Sequence, residues 1–167
     1  TWTEAADLTT ARRNCGSFGT TTSALTYAGQ SPGFTDITES WNGSAWSEVG
    51  DLNTARTGLG SNGAGVSNSS GLTAGGTTPP STALTETWNG TSWSEVGDLN
   101  TARESLGVRG IVTAAIATGG SVSPSAQTET WDGTSWTTVA NLTTGRNMIG
   151  LAGLSTSALA MGGEVDP

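Results

Sequence analysis

The stretch WNGTSWSEVGDLNTAR at residues 88–103 occurs almost unchanged at residues 41–56, as WNGSAWSEVGDLNTAR. A third version, WDGTSWTTVANLTTGR, occupies residues 131–146, and the second half of the pattern opens the chain as TWTEAADLTTAR. Near-identical segments at a nearly constant spacing are typical of repeat architectures, in which each unit buries its apolar face only against its neighbours. We therefore expect a repeat architecture.

The second Trp of the pattern marks the period, because it recurs at intervals of 44, 47 and 43 residues. An arginine stands ten residues after each of these tryptophans, at Arg12, Arg56, Arg103 and Arg146. The markers divide the chain into units 1–45, 46–92 and 93–135 and a truncated unit 136–167. We assign all four to a single repeat domain that covers residues 1–167.

Glycines occur at equivalent positions in each unit and separate short apolar runs. A Gly pair closes the second of these runs at Gly75-Gly76, Gly119-Gly120 and Gly162-Gly163, and Gly29-Gln30 is aligned with it in the first unit. Glycine in or beside a strand permits close approach of a neighbouring backbone. The runs therefore predict two strands per unit, and the segment 61–71 between them is predicted to be a flexible loop.

The Asn-Gly and Asp-Gly dipeptides between the paired tryptophans predict β-hairpins. A two-residue type I′ turn favours these dipeptides, since both central residues need positive φ. With such a turn, Trp88 lies opposite Thr91 and Trp93 lies opposite Glu86, so the two indoles become diagonal neighbours. We expect the repeated tryptophans to form the core, and they are Trp2, Trp41, Trp46, Trp88, Trp93, Trp131 and Trp136.

Two hairpin strands and two glycine-flanked strands give four strands per unit, with no helical periodicity. The expectation is an all-β fold of four-stranded antiparallel blades. The order of arginine, glycine-flanked strand, Gly-Gly and two aromatics resembles the kelch repeat, which implies a β-propeller of about four repeats with the last incomplete. The first aromatic is Trp instead of the usual Tyr, and the two aromatics lie closer together than is typical.

The sequence TETWNGTSW, followed by DLNTAR, also resembles repetitive kelch-like virion or fibre proteins of aquatic bacteriophages and environmental sequences. In strand order the chain reads d, abcd, abcd, abcd, ab, so the last blade lacks its third strand. Three arrangements remain open: a ring of four blades with a three-stranded last blade, a longer chain with more blades, or copies that complete each other. Self-association or further blades of the same chain are the expected partners.

Composition excludes several kinds of chemistry. The chain has 14 acidic residues and 6 basic ones, for a formal charge of −8, which argues against nucleic acid and anionic membranes as partners. With no His and one Cys, the Ser-His-Asp, Cys-His and usual zinc or copper sites cannot be built. The sequence therefore predicts no catalytic residues, no metal site and no cofactor.

The remaining polar residues recur once per unit, which favours a structural role. Arg12, Arg56, Arg103 and Arg146 are expected to neutralise the recurring Glu39, Glu86 and Glu129 or to bind backbone carbonyls at blade junctions. Glu104 and Glu164 occur in one unit only, so they are the acidic residues to inspect for an active site. Four sequons are candidate glycosylation sites, with Asn68 ranked first and Asn42, Asn89 and Asn141 after it.

These observations predict a non-enzymatic structural or adhesive module of an extracellular fibre or virion appendage. The alternative is a carbohydrate- or protein-binding propeller that uses loops on one face, at 30–36, 61–71 and 121–126, with surface glycans as ligands. The expected location is extracellular or on a virion surface. Because propellers carry unrelated functions, the fold alone does not choose between these hypotheses.

Overall fold

The computed structural model describes residues 1–59, 63–121 and 126–165, and within these ranges the protein is built from strands without a helix. Three four-stranded sheets follow one another along the chain, each with its strands in sequence order and all neighbours antiparallel. The all-β expectation and the four-stranded antiparallel units are confirmed. The described residues form no closed ring of sheets. No helix in the described part of the chain is long and apolar enough to cross a bilayer.

The three complete sheets have the same plan. Sheet 1 contains β1 (Gly16–Thr20), β2 (Ser23–Gln30), β3 (Phe34–Trp41) and β4 (Trp46–Glu48). Sheet 2 contains β5 (Ala64–Ser67), β6 (Ser70–Ala74), β7 (Thr85–Trp88) and β8 (Trp93–Glu95). Sheet 3 contains β9 (Gly107–Ile111), β10 (Ala114–Thr118), β11 (Thr128–Trp131) and β12 (Trp136–Thr138).

The described residues that follow sheet 3 form a long hairpin. Its inner pair is β14 (Gly150–Ala152) with β15 (Leu159–Met161), and its outer pair is β13 (Arg146–Asn147) with β16 (Glu164–Val165). The Gly150↔Met161 register repeats the Gly107↔Thr118 register of sheet 3. We call this hairpin the fourth sheet, because it corresponds to the first two strands of the others.

The tryptophan hairpins differ from the predicted register. Trp88 lies directly opposite Trp93, and the other two hairpins pair their tryptophans in the same way. The loop therefore has four residues, not two, and the prediction of a type I′ turn with diagonal indoles was wrong. Asn89 Oδ1 accepts hydrogen bonds from the backbone N–H groups of Thr91 and Ser92, each at 2.9 Å, so the side chain closes the turn.

In the third hairpin Asp132 closes the turn, and this makes the hairpin sensitive to acid. The N–H groups of Ser135 and Thr134 donate to its carboxylate and lower its pKa. A lowered pKa in the folded state contributes stability above the ordinary value of about 3.9, which is lost as the pH falls through the folded value. We expect Asp132→Asn to match the wild type at pH 6 and to lose less stability than the wild type on acidification.

Urea unfolding of both proteins at several pH values between 6 and 2 measures this difference. Asn42 and Asn89 occupy the same turn position in the other hairpins and accept equivalent bonds, so asparagine preserves the geometry. Parallel stability curves for the two proteins would contradict the assignment.

The cores lie between adjacent sheets, so each sheet is stabilised by its neighbour. Between sheets 1 and 2 the buried residues are Phe18, Leu25, Tyr27, Ala28, Leu52, Leu59, Trp88 and Trp93. Between sheets 2 and 3 they are Ala64, Leu72, Ala74, Leu99, Leu106, Val108, Ala115, Ala117, Trp131 and Trp136. Strands β1, β5, β9 and β14, which occupy equivalent positions in the four sheets, also lie side by side in that order.

Phe18 of sheet 1 packs onto two glycines of sheet 2. A Cβ at Gly71 would lie 2.1 Å from the Phe18 ring, and a Cβ at Gly65 would lie 2.5 Å from it. We therefore expect Gly71→Ala to lower the free energy of unfolding by about 1–3 kcal/mol through overpacking. Denaturant unfolding of the single variant and of Gly71→Ala combined with Phe18→Leu tests this. The double variant should recover part of the loss, and a single variant as stable as the wild type would contradict the contact.

Two further expectations are corrected by the structure, and a third lies mostly outside the described residues. Residues 1–8 form no strand, and Trp2 is fully exposed, since no described strand pairs with it. Most of the expected 61–71 loop is a hairpin, because β5 and β6 meet at a tight turn; residues 61 and 62 lie outside the described ranges. Residues 122–125, within the expected 121–126 loop, also lie outside them.

The Gly-Gly position of the first unit is Ala28-Gly29, not Gly29-Gln30. Ala28 has φ +58°, matching Gly75 at +75° and Gly119 at +69°. A left-handed backbone is required there, and alanine adopts it at a cost of about 1–2 kcal/mol. The N–H of Gly29 donates to the carbonyl of Arg56, which ties the end of β2 to the segment that enters sheet 2.

Candidate functional site

Each complete sheet contains one buried ion pair between an arginine that precedes its first strand and a glutamate on its third strand. The pairs are Arg12–Glu39, Arg56–Glu86 and Arg103–Glu129, and all six side chains are 0% exposed. In the third pair Arg103 Nη2 lies 2.8 Å from Glu129 Oε1. The same group also binds the carbonyls of Gly119 and Gln127 through Nη1, each at 2.8 Å. The arginine thus joins the chain entering the sheet to its second and third strands.

The second oxygen of each glutamate is held by the chain three residues before the arginine. Backbone N–H groups of Thr9, Asn53 and Asn100 donate to it at 2.7, 2.8 and 2.7 Å. Asn53 and Asn100 add a side-chain bond to the same oxygen and a second one to the carbonyl of the sheet's last-strand tryptophan. These asparagines were not predicted as site residues, although both lie three positions before a repeat arginine in the sequence.

The charge states follow from this environment. Burial alone would raise the pKa of Glu39, but the N–H of Thr9 and the guanidinium of Arg12 outweigh it and lower the pKa. Burial lowers the pKa of Arg103, and Glu129 opposes that shift. A carboxylate held ionised by two partners is a poor general acid or base. In each complete sheet the ion pair links the chain that enters the sheet to its third strand.

The fourth repeat arginine, Arg146, has a different environment. It is half-buried, and its Nη1 donates to the carbonyl of Gly162 at 2.7 Å. It forms no ion pair within the described residues.

The repeated tryptophans differ in how deeply they are buried. Trp41, Trp88, Trp93, Trp131 and Trp136 are buried, whereas Trp46 is half-buried and Trp2 is exposed. The last-strand tryptophan of one sheet reaches the preceding sheet: Trp93 Nε1 donates to Thr38 Oγ1 and Trp136 Nε1 donates to Thr85 Oγ1, both at 3.0 Å. Trp46 is the corresponding residue of sheet 1 and lines a cavity of about 450 Å³ beside it.

The four repeats converge on a second cavity of about 480 Å³, which we call the repeat cavity. Equivalent residues from the four units line it, each two positions after a repeat arginine, and all have positive φ: Asn14, Gly58, Ser105 and Met148. Thr57, Cys15 and Glu104 also line it. Glu104 is therefore the acidic residue that the structure places in a cavity, whereas Glu164 lies on exposed β16.

The repeat cavity contains one carboxylate, so a two-carboxylate glycosidase site is not assembled from its lining residues. Among the described residues no group of three His, Cys, Asp or Glu side chains is placed to hold a metal ion. Cys15 is a free thiol.

The four sequon asparagines lie in different surroundings. Asn42, Asn89 and Asn141 are exposed. Asn68 is half-buried, and its Nδ2 donates to Ser40 Oγ and to the carbonyl of Trp41 at 2.9 and 3.2 Å. A glycan on Asn68 would replace one of the two Nδ2 hydrogens and so remove at least one of these bonds, which join sheet 2 to sheet 1.

No protein-family profile matches the chain, and no curated protein is significantly similar to it in sequence. The kelch resemblance therefore rests on the residues quoted above, and function must be argued from the geometry of this chain.

Proposed function

We propose that this protein is a non-enzymatic structural or adhesive repeat module, whose sheets are blades of a kelch-like β-propeller in an extracellular fibre or virion appendage. The observation that carries the proposal is that the recurring charged residues are used inside the scaffold. In each complete sheet the arginine and the glutamate neutralise each other at 0% exposure, so neither is presented to a ligand.

The propeller arrangement is supported by how the units meet. Their first strands lie side by side, their faces stack through tryptophans, and equivalent residues from four units line one cavity. Radial stacking of small sheets around an axis brings equivalent inner positions together in this way. A linear stack of sheets would instead place the fourth unit far from the first, whereas Met148 and Asn14 line the same cavity.

Self-association or additional blades suit the surfaces at the two ends of the array. Sheet 1 carries the half-buried Trp46 at one end, and the fourth sheet carries exposed Leu159 and Met161 at the other. Apolar side chains at an unpaired edge favour association with further strands. The formal charge of −8 opposes association through the rest of the surface, because acidic surfaces of two copies repel one another.

Electron microscopy of the purified protein, together with its native mass, tests the proposal. Filaments, or rings in which copies complete each other, would support a building unit of a larger assembly. Discrete monomeric particles at all concentrations would contradict self-assembly of this chain and favour the binding alternative.

The repeat cavity favours one second candidate, a carbohydrate- or protein-binding propeller. Its volume of about 480 Å³ and its mixed lining, with the Glu104 carboxylate among small polar groups, are compatible with part of a glycan or a peptide side chain. A glycan array with the wild type and Glu104→Gln tests this role. Binding that Glu104→Gln abolishes would support it, and an array without hits would count against it.

A further inference from the structure

Glu104 carries the carboxylate in the lining of the repeat cavity, and this carboxylate is not used inside the scaffold. Its side chain is half-buried and makes neither an ion pair nor a hydrogen bond with any described residue. The recurring glutamates differ, because each of them is 0% exposed and paired with an arginine. The Glu104 carboxylate is therefore free to bind a ligand that enters the cavity.

The surrounding backbone fixes the position of this side chain. The carbonyl of Glu104 accepts hydrogen bonds from the N–H and Oγ of Ser121, at 2.9 and 3.3 Å. The N–H of the next residue, Ser105, donates to the carbonyl of Gly58 at 2.8 Å. Gly58 has φ +65°, and a Cβ at this glycine would lie 3.2 Å from Glu104 Oε2. The absence of a side chain at Gly58 thus leaves room for the carboxylate beside the backbone.

The carboxylate end of the cavity is formed by units that have described neighbours on both sides. Thr57 and Gly58 lie in the segment that enters sheet 2, and Glu104 and Ser105 lie in the segment that enters sheet 3. Sheet 2 packs between sheets 1 and 3, and β9 of sheet 3 lies between β5 and β14. This part of the site is therefore complete within the described chain.

The polar groups near the carboxylate are suited to accept hydrogen bonds from a cation. Thr57 Oγ1 donates its proton to the Asn14 carbonyl at 3.4 Å, so its lone pairs remain available. The Ser105 hydroxyl is a further acceptor in the lining, and none of the described residues that line the cavity is basic. An anionic ligand would meet the Glu104 carboxylate without a compensating positive charge. The lining therefore favours a ligand with a positive charge and several donors.

A protonated primary amine fits this set of groups better than a metal ion does. An ammonium group has three donors and no acceptor, which matches one carboxylate and two hydroxyls. Calcium takes roughly six to eight oxygen ligands, and no group of three His, Cys, Asp or Glu side chains in the described ranges is placed to hold a metal. Cys15 and Met148 add apolar contacts for the carbon skeleton next to the amine.

We propose that the repeat cavity binds a protonated primary amine, whose ammonium group contacts the Glu104 carboxylate and the hydroxyls of Thr57 and Ser105. An amino sugar and the side chain of a lysine both carry this group. The inference rests on the binding role proposed above for the cavity, and it names the chemical group that the cavity recognises. The formal charge of −8 favours the approach of such a cation.

Two pairs of small molecules test the proposal with the unaltered chain. One pair is glucosamine and N-acetylglucosamine, and the other is Nα-acetyl-lysine amide and its Nε-acetylated form. Binding is measured by calorimetry, and the backbone amide chemical shifts of Glu104 and Ser105 report where the ligand binds. We expect the free amine to bind at least about tenfold more tightly than its acetylated partner, because acetylation removes the charge. The pair that shows this preference identifies the source of the amine as a sugar or a lysine.

The matched variants are Glu104→Gln, which should bind both members of each pair equally, and Glu95→Gln, which should keep the preference. Glu95 is exposed on β8, so its replacement removes the same charge outside the cavity. Because the Glu104 side chain makes no ion pair with a described residue, we expect both variants to fold, and urea unfolding checks this.

Equal affinity of the wild type for both members of both pairs would overturn the proposal. So would a preference that persists in Glu104→Gln, or the absence of saturable binding at millimolar amine. Array hits on neutral glycans without a preference for amines would overturn this inference and leave the binding role in place. Filament formation, which tests the structural role, is read separately by microscopy.

Discussion

Replacing Arg103 with methionine is expected to lower the free energy of unfolding by about 3–5 kcal/mol. The substitution removes three hydrogen bonds and leaves the Glu129 carboxylate buried beside one backbone N–H and the Asn100 amide. Removing one partner of a buried ion pair costs far more than the net value of the pair, because the remaining charge keeps its desolvation penalty. Urea unfolding followed by tryptophan fluorescence measures the loss.

Two controls separate this effect from general damage. Arg13→Met changes an exposed arginine and should alter stability by less than about 0.5 kcal/mol. The double variant Arg103→Met, Glu129→Leu also removes the carboxylate that the single variant leaves without its ion-pair partner. It should recover much of the lost free energy of unfolding. If Arg103→Met unfolds at the same urea concentration as the wild type, the buried ion pair is not a stabilising element of sheet 3.

Trp93→Ala should have a similarly large effect, about 3–5 kcal/mol. Its indole is 4% exposed, and its ring centroid lies 5.4 Å from that of Trp88 and 4.9 Å from that of Tyr27. Because Trp93 also donates to Thr38 Oγ1, its removal opens a cavity between two sheets and leaves that hydroxyl without this donor. The change is measured by thermal or denaturant unfolding monitored by circular dichroism.

Trp46 provides the matched comparison, since it has the same repeat position and a partner indole at 5.3 Å. It is half-buried beside a cavity and is absent from both inter-sheet cores. We expect Trp46→Ala to lose less than half as much stability as Trp93→Ala, and Trp2→Ala to change stability little. Equal losses at Trp46 and Trp93 would show that stacking onto a preceding sheet is not what makes Trp93 important.

The repeat period and the strand content could be predicted from the sequence because both are local. The recurrence of tryptophan, arginine and paired glycines indicates where one supersecondary unit ends and the next begins, and alternating short runs indicate strands. The hairpin register was not predictable in the same way. Asn89 accepts two backbone bonds in a four-residue loop, and this side-chain closure competes with the type I′ turn that Asn-Gly usually favours.

The candidate sites could be predicted only in part, for a similar reason. The sequence singled out Glu104 as an acidic residue of one unit, and the structure places it in the repeat cavity with Asn14 and Ser105. That cavity arises from four residues in different units, which only packing brings together. Asn68 was interpreted as a loop sequon, yet its amide joins two sheets, and no local pattern reports such a contact.

The period, the four-stranded antiparallel unit and the identity of the charged residues in each unit could be predicted from the sequence alone. The pairing of each arginine with its glutamate, the different burial of Trp2 and Trp93, and the single carbonyl contact that Arg146 makes among the described residues became known from the packing of the sheets. This division arises because repeat units of almost the same sequence have the same local preferences. Their energies differ only through the neighbouring strands that cover them, and those neighbours are a property of the assembled sheets.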